Sequence, residues 1–245
     1  MNRSSDESSA RPVSFSPVGR IVSPFNGKFG VPRQSGLVPS AVGLIRFFPP
    51  WNQAEAFRGL EGFSHVWILF LADQIPEDKE PSLTVRPPRL GGNTRLGVFA
   101  TRSLFRPNPI GLSLVELRKI LVDDGGVTLE VAGLDLVDGT PVLDVKPYLP
   151  YVEAQPDAQG GFATEAPPML PVVLSPEAEI RLTSIETRQP GFRTLLLETM
   201  AFDPRPAYLE EVANREFAFE LQGIGVRFTW TPDEGLLILD LTENS

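Results

Sequence analysis

The chain has 245 residues, 42% hydrophobic and 22% charged, and 31 acids against 22 bases give a formal charge of -9. This is ordinary globular usage, which argues against a disordered chain or a membrane protein. No cysteine and a single histidine, His65, exclude disulfide frameworks, thiolate nucleophiles, zinc fingers and multi-histidine metal centres together.

Residues 1–15 are polar and lack the apolar stretch of a secretory signal, so they read as a flexible tail on a cytoplasmic protein. No apolar run approaches the ~20 residues that cross a bilayer, so no membrane partner is expected. From 16 to 150, short apolar or alternating runs bounded by Gly, Pro, Asn or Asp predict strands at 17–23, 42–48, 63–72, 95–101, 111–120, 126–135 and 142–148. One short helix is expected at 52–58, and the DDGG run at 123–126 marks an antiparallel hairpin. Seven short strands with few helices predict a barrel or sandwich, and closure into a barrel removes exposed edges. The βαβ rhythm, a G-x-G-x-x-G turn and a Walker-type loop are all missing, which argues against the common nucleotide-binding folds. Residues 151–171 are rich in Pro, Gly and Ala and read as a linker. Beyond it, Ser175-Pro176-Glu177 has the N-cap, first-turn proline and acid of a helix start. Two helices broken at Gln189-Pro190-Gly191 and three strands at 216–222, 224–230 and 236–241 complete a small α+β domain at 172–245.

Charge is unevenly spread. Arg11 to Arg46 contains five bases and no acid, and Arg86 to Ile120 has seven bases against Glu116 alone, whereas 150–245 holds 16 acids and 6 bases. This asymmetry fits an anionic ligand on the first part, the plain alternative for any one arginine being a surface ion pair. The run TVRPPRLGGNTRLGVFATRSLFRPNPIGLS (84–113) combines arginines suited to bidentate anion contacts with backbone-fixing Pro and Gly. Its Gly91-Gly92-Asn93 and Asn108-Pro109-Ile110-Gly111 segments are equally ordinary turns. In GLDLVDGTPVLDVKPY (133–148), Asp135, Asp138 and Asp144 are close enough in sequence to meet at one barrel mouth as acid and base, metal ligands or partners of a cation. Turn capping accounts for one of the three. The loop NGKFGVPRQSGLVPS (26–40) is long enough to be functional. His65, inside an apolar strand, reads as a hydrogen-bonded core histidine rather than a base.

The stretches GRIVSPFNGKFGVPRQSGLV, QAEAFRGLEGFSHVWILF, RPPRLGGNTRLGVFATRSLFRPNPIGLSLVEL and LDLVDGTPVLDVKPYLPY, with DPRPAY at 203–208, resemble the TsaA-like family, closely over 16–153 and loosely beyond. The resemblance implies a mainly β fold, a single-sheeted β-barrel with a small α+β C-terminal domain, that pairs as a homodimer. It implies an S-adenosylmethionine-dependent enzyme that methylates N6 of threonylcarbamoyladenosine at position 37, in the anticodon arm of threonine tRNAs, without a metal. By the same resemblance the cofactor pocket includes Pro32, Arg33, Gln34, Asp73, Gln74, Arg102, Leu112, Gly133, Leu134, Asp135 and Leu136, with Asp73 standing where related sequences often carry His. The acceptor nitrogen of such a substrate is a poor nucleophile and calls for a base, for which Asp135 or Asp138 is the candidate. Arg86, Arg89, Arg95 and Arg106 would grip tRNA phosphates, and Phe105 and Tyr148 would stack on bases or serve in the core. Two other readings stay open: a methyltransferase for another acceptor, and a non-catalytic RNA- or ligand-binding barrel.

Overall fold

The computed structural model describes residues 13–75, 80–87, 94–205 and 215–243. Most of the expected tail, Arg89, the segment 91–93 and residues 206–208 lie outside them. Strands β1 (Gly19–Val22), β2 (Val42–Phe47), β3 (His65–Leu71), β6 (Ile110–Asp123), β7 (Gly126–Ala132) and β8 (Pro141–Pro147) close into an antiparallel barrel in the order β1-β2-β7-β6-β3-β8. Closure depends on the long strand β6. Its first half, Ile110 to Glu116, pairs with β3, and its second half, to Asp123, pairs with β7, with a register shift between Leu117 and Lys119 where it bends from one neighbour toward the other. The expected hairpin joins β6 to β7, where Gly125 N–H donates to Asp123 Oδ1 (2.8 Å) and Gly126 takes a φ of 105°.

Alternation along the strands fills the interior. Val66, Ile68 and Phe70 of β3 point inward with Ile21, Ile45, Val115, Leu129, Val131 and Val142, while His65, Trp67, Leu69 and Leu71 lie on the outer face. His65 is therefore not a core residue: it is partly exposed, its Nδ1 2.9 Å from Ser64 Oγ and its ring edge-on to Tyr148. The period of two that makes 63–72 a strand also forces every second residue out, and position 65 falls on the outer set.

Two other expectations change. The run 95–101 contributes only β5 (Leu96–Gly97), paired with β4 (Thr84–Val85), because Val98–Ala100 then winds into a 3-10 turn with Thr101 Oγ1 donating to Val98 O (2.9 Å). The helix at 52–58 is likewise two 3-10 turns, Ala54–Phe57 and Leu60–Gly62, separated by Gly59 at φ 88°.

After the helical turn α1 (Pro150–Glu153), the C-terminal part places β9 (Val172–Leu174), β10 (Phe217–Leu221), β11 (Ile224–Thr231) and β12 (Gly235–Glu243) in the order β10-β11-β12-β9. β9 runs parallel to β12 and was hidden in sequence by its three-residue length. Helices α2 (Pro176–Arg188) and α3 (Phe192–Ala201) cover this sheet. Ser175 caps α2 as its sequence predicts, Oγ accepting from Ala178 N–H at 3.0 Å. The second core contains Leu182, Phe192, Leu196, Met200, Val226, Phe228 and Ile238, and it also takes in Phe25, Val38 and Ala41 from the loop between β1 and β2. Full burial of a side chain such as Phe25 is worth about 1.5–3 kcal/mol, so this loop is bound firmly to the C-terminal part.

Candidate active site

A cleft of about 710 Å³ opens at the barrel mouth where β3 ends and β6 begins. That volume suits a single organic ligand. Its floor is set by the pairing of Phe70 with Gly111 across β3 and β6. A Cβ at Gly111 would lie 2.0 Å from Phe70 Cζ, so only glycine lets the ring lie flat over the strand. Two residues on, Ser113 points inward and is 1% exposed. Its Oγ donates to Asp135 Oδ1 at 2.6 Å, so a buried hydroxyl orients one oxygen of the carboxylate. Burial pushes the Asp135 carboxyl up from its ordinary value of 3.8 to about 6, against the lowering effects of the Ser113 hydrogen bond and the nearby Arg102 guanidinium.

Arg102 forms one wall, donating to Gln34 Oε1 (2.6 Å) and Leu112 O (3.2 Å), which ties the β1–β2 loop to the start of β6. Arg106 forms another: it donates to Thr101 O (3.3 Å), and its guanidinium lies 5.9 Å from the Phe99 ring centroid. Phe99 is 79% exposed although it sits in an ordered turn at the cleft. Pro32, Leu104 and Leu112 supply the apolar lining between these polar groups.

Of the residues named from sequence, Pro32, Arg33, Gln34, Arg102, Arg106, Leu112 and Asp135 line this cleft together. Asp73 and Gln74 lie exposed at the end of β3, with Gln74 O accepting from Lys28 Nζ (2.8 Å), and are not among its lining residues. Gly133 makes a turn at φ 73° and accepts from Gly36 N–H (2.8 Å), while Leu134 and Leu136 send their side chains into the barrel core. The three aspartates do not converge. Asp138 is exposed and braces a turn, its Oδ1 accepting from Ser23 N–H (2.9 Å) and its own N–H donating to Phe25 O (2.8 Å). Asp144 lines a separate groove on the barrel and pairs with Lys146 at 2.8 Å. Arg86 is exposed beside β4, and Arg95 donates to Thr84 Oγ1 (3.0 Å) within the β4–β5 ribbon. Phe105 is half exposed next to Arg106, whereas Tyr148 stands on the outer face against Trp67. Sequence reasoning missed Phe70, Phe99, Gly111 and Ser113. Ser113 had a signal: a hydroxyl at an inward slot of the alternating run GLSLVEL needs a buried partner.

The family model of the tRNA-methyltransferase O N-terminal domain matches residues 20–154, and that of the TrmO C-terminal domain matches 167–244. The chain is 49% identical over 229 residues to the tRNA (adenine(37)-N6)-methyltransferase of Escherichia coli K12, covering 93% of this chain and 97% of that protein. It is 45% identical to a putative S-adenosylmethionine-dependent methyltransferase of Pseudomonas aeruginosa, over 93% of this chain and 97% of that one. A crystal structure of TrmO from P. aeruginosa superposes with a TM-score of 0.78 at 37% identity, covering 95% of this chain and 98% of that one. With both halves matched in order by its two domain models, the chain belongs to the tRNA-methyltransferase O family.

Proposed function

We propose that the chain is an S-adenosylmethionine-dependent tRNA methyltransferase acting on N6 of threonylcarbamoyladenosine at position 37 of threonine tRNAs, as a cytoplasmic homodimer. The observation that carries this reading is Asp135, a carboxylate tuned to about 6, in a cleft walled by arginines in a chain of this family. The donor set suits the proposed cofactor. Arg33 and Arg102 offer charge to its carboxylate, Pro32, Leu104 and Leu112 offer apolar surface to its nucleoside, and Asp135 offers a negative group to its cationic centre. S-adenosylmethionine supplies an electrophilic methyl group, so no metal ligand set is required of the chain.

The protein's part is alignment, exclusion of water and proton removal. An adenine N6 bearing a carbonyl substituent shares its lone pair with that carbonyl and must lose its proton as the new N–C bond forms, the donor's S–C bond breaking with its electron pair left on a neutral thioether. Asp135 takes that proton. With a value of about 6 it is mostly ionised at neutral pH, yet basic enough to hold the proton once transferred. Ser113 fixes one carboxylate oxygen, and the backbone N–H groups of Ser35 and Asp135 further orient the carboxyl toward the cleft. Arg86, Arg95 and Arg106 hold tRNA phosphates, which positions the anticodon arm without reading its sequence.

The test is incubation with threonylcarbamoylated threonine tRNA and S-adenosylmethionine carrying a labelled methyl group. Label in the nucleoside at position 37 is expected. Donor binding without label in this tRNA would move the function to another acceptor, and no donor binding at all would leave a binding module.

A further inference from the structure

The acidic C-terminal part makes a poor surface for RNA, yet it touches the segment that forms the cleft. The loop joining β1 to β2 has two sides. On one, Phe25, Val38 and Ala41 are buried in the C-terminal core. Phe25 bridges to Leu221, Gln222 N–H donates to Pro24 O (2.7 Å), and Asn26 Nδ2 donates to Glu220. Gly30, at φ 85°, lies so close to Phe219 that a Cβ would stand 2.4 Å from the ring. On the other side, Pro32, Arg33 and Gln34 line the cleft, and Gln34 holds Arg102.

A second strut reaches the opposite wall. Glu198 of α3 accepts from both Ser40 N–H (3.0 Å) and Ser40 Oγ (2.6 Å) through a single carboxylate oxygen. The next residue, Ala41, accepts from Leu134 N–H (3.1 Å), and Gly36 N–H donates to Gly133 O (2.8 Å). Gly133 and Leu134 lead directly into Asp135. Both the loop bearing Gln34 and the turn bearing the proposed base are therefore suspended from the C-terminal sheet and α3. A long loop without regular secondary structure would otherwise lose about 1–2 kcal/mol of backbone entropy per residue on ordering, with little barrel surface to offset it.

We propose that the C-terminal domain acts as a buttress that preorganises the cleft, with Glu198 as a positioning residue acting through Ser40 on Gly133–Asp135 and on the loop at 31–36. This rests on the reading of the cleft as the methyl-donor site. The acidic domain then serves the cleft through the loop it carries rather than through contact with RNA.

The experiment uses the full chain with Glu198→Ala, Glu198→Gln and Glu179→Ala, the last breaking the Glu179–Arg193 pair (2.6 Å) between α2 and α3 without touching the loop. Two readouts are taken below the unfolding temperature of every variant: amide hydrogen exchange at 31–36 in the free protein, and calorimetric affinity for S-adenosylmethionine. Glu198→Ala is expected to speed exchange at 31–36 while leaving β11 and β12 protected, and to weaken donor binding about tenfold or more, the scale of a displaced positioning group. Glu198→Gln, which keeps an acceptor oxygen for Ser40, restores most of both. Glu179→Ala changes neither, whatever it does to thermal stability. Unchanged exchange with Glu198→Ala, or donor affinity within about twofold of the wild type, overturns the proposal. A wild-type chain that fails to bind S-adenosylmethionine overturns the cleft reading instead, and the exchange measurement still decides whether the buttress exists.

Discussion

Replacing Asp135 by Asn should move activity and stability in opposite directions. The carboxyl stands at about 6 in the folded chain against 3.8 ordinarily, because burial penalises its charge. A raised acid binds its proton more tightly when folded, so folding is weakened as pH rises from the unfolded value through the folded one, and the penalty is complete above about pH 6 to 7. At about 1.4 kcal/mol per tenfold, the full penalty is about 3 kcal/mol. Roughly 2 kcal/mol of it develops between about pH 4.5 and pH 7.5. Asn keeps the shape and the oxygen that accepts from Ser113, but carries no charge to desolvate. The variant should therefore gain about 2 kcal/mol on the wild type across that interval, or roughly 4–8 °C in midpoint for a chain of this size. Turnover should fall by about two to four orders of magnitude, and the wild-type rate should rise with pH to a plateau above about 6. Urea unfolding at both pH values and single-turnover methyl transfer provide the readings. A stability gap that does not change with pH would refute the buried-carboxylate reasoning, and near-normal turnover would remove Asp135 as the base.

Gly111→Ala drives a methyl into the Phe70 ring, so a loss of about 1–3 kcal/mol is expected together with weaker cofactor binding, and Phe70→Leu in the same chain should recover part of both. Arg205, 4% exposed, donates through Nε and Nη2 to Asp203 (both 2.8 Å) beneath the Trp230 ring. Arg205→Ala leaves Asp203 without its cation and should cost about 3–5 kcal/mol in denaturant unfolding. Affinity for tRNA should fall steeply with salt, and Arg86→Ala should lower the slope of log affinity against log salt by about one. A flat salt response would exclude the phosphate-gripping role.

The strands and helix ends were legible because their signals are local. Alternation marked β2, β3, β7 and β8, and Ser175-Pro176 marked the start of α2. What escaped depended on partners distant in sequence. Thr84 and Val85 are a strand only because Leu96 and Gly97 lie beside them, and β9 exists only as a parallel neighbour of β12. The same holds at the cleft. Arg33, Arg102 and Asp135 stood out by residue type and turn context and Gln34 through the family resemblance, but nothing near Asp138 shows that Ser23 from β1's end will occupy its carboxylate. Nor does FNGKFG show that one face of the β1–β2 loop belongs to another core, since that depends on Leu221 and Phe219 nearly two hundred positions later.

The ring of six strands has one more consequence. Each strand is bonded to two neighbours, and where the bonding is partial, along each half of β6 and beyond Val142 of β8, the unpaired margins are short runs rather than a continuous edge onto which an extended peptide or a second copy could be stitched through main-chain amides. Assembly through this half is left mainly to outward side chains and the loops at its mouth. The C-terminal sheet has open flanks along β9 and β10, three and five residues long, too brief to template a lengthening stack.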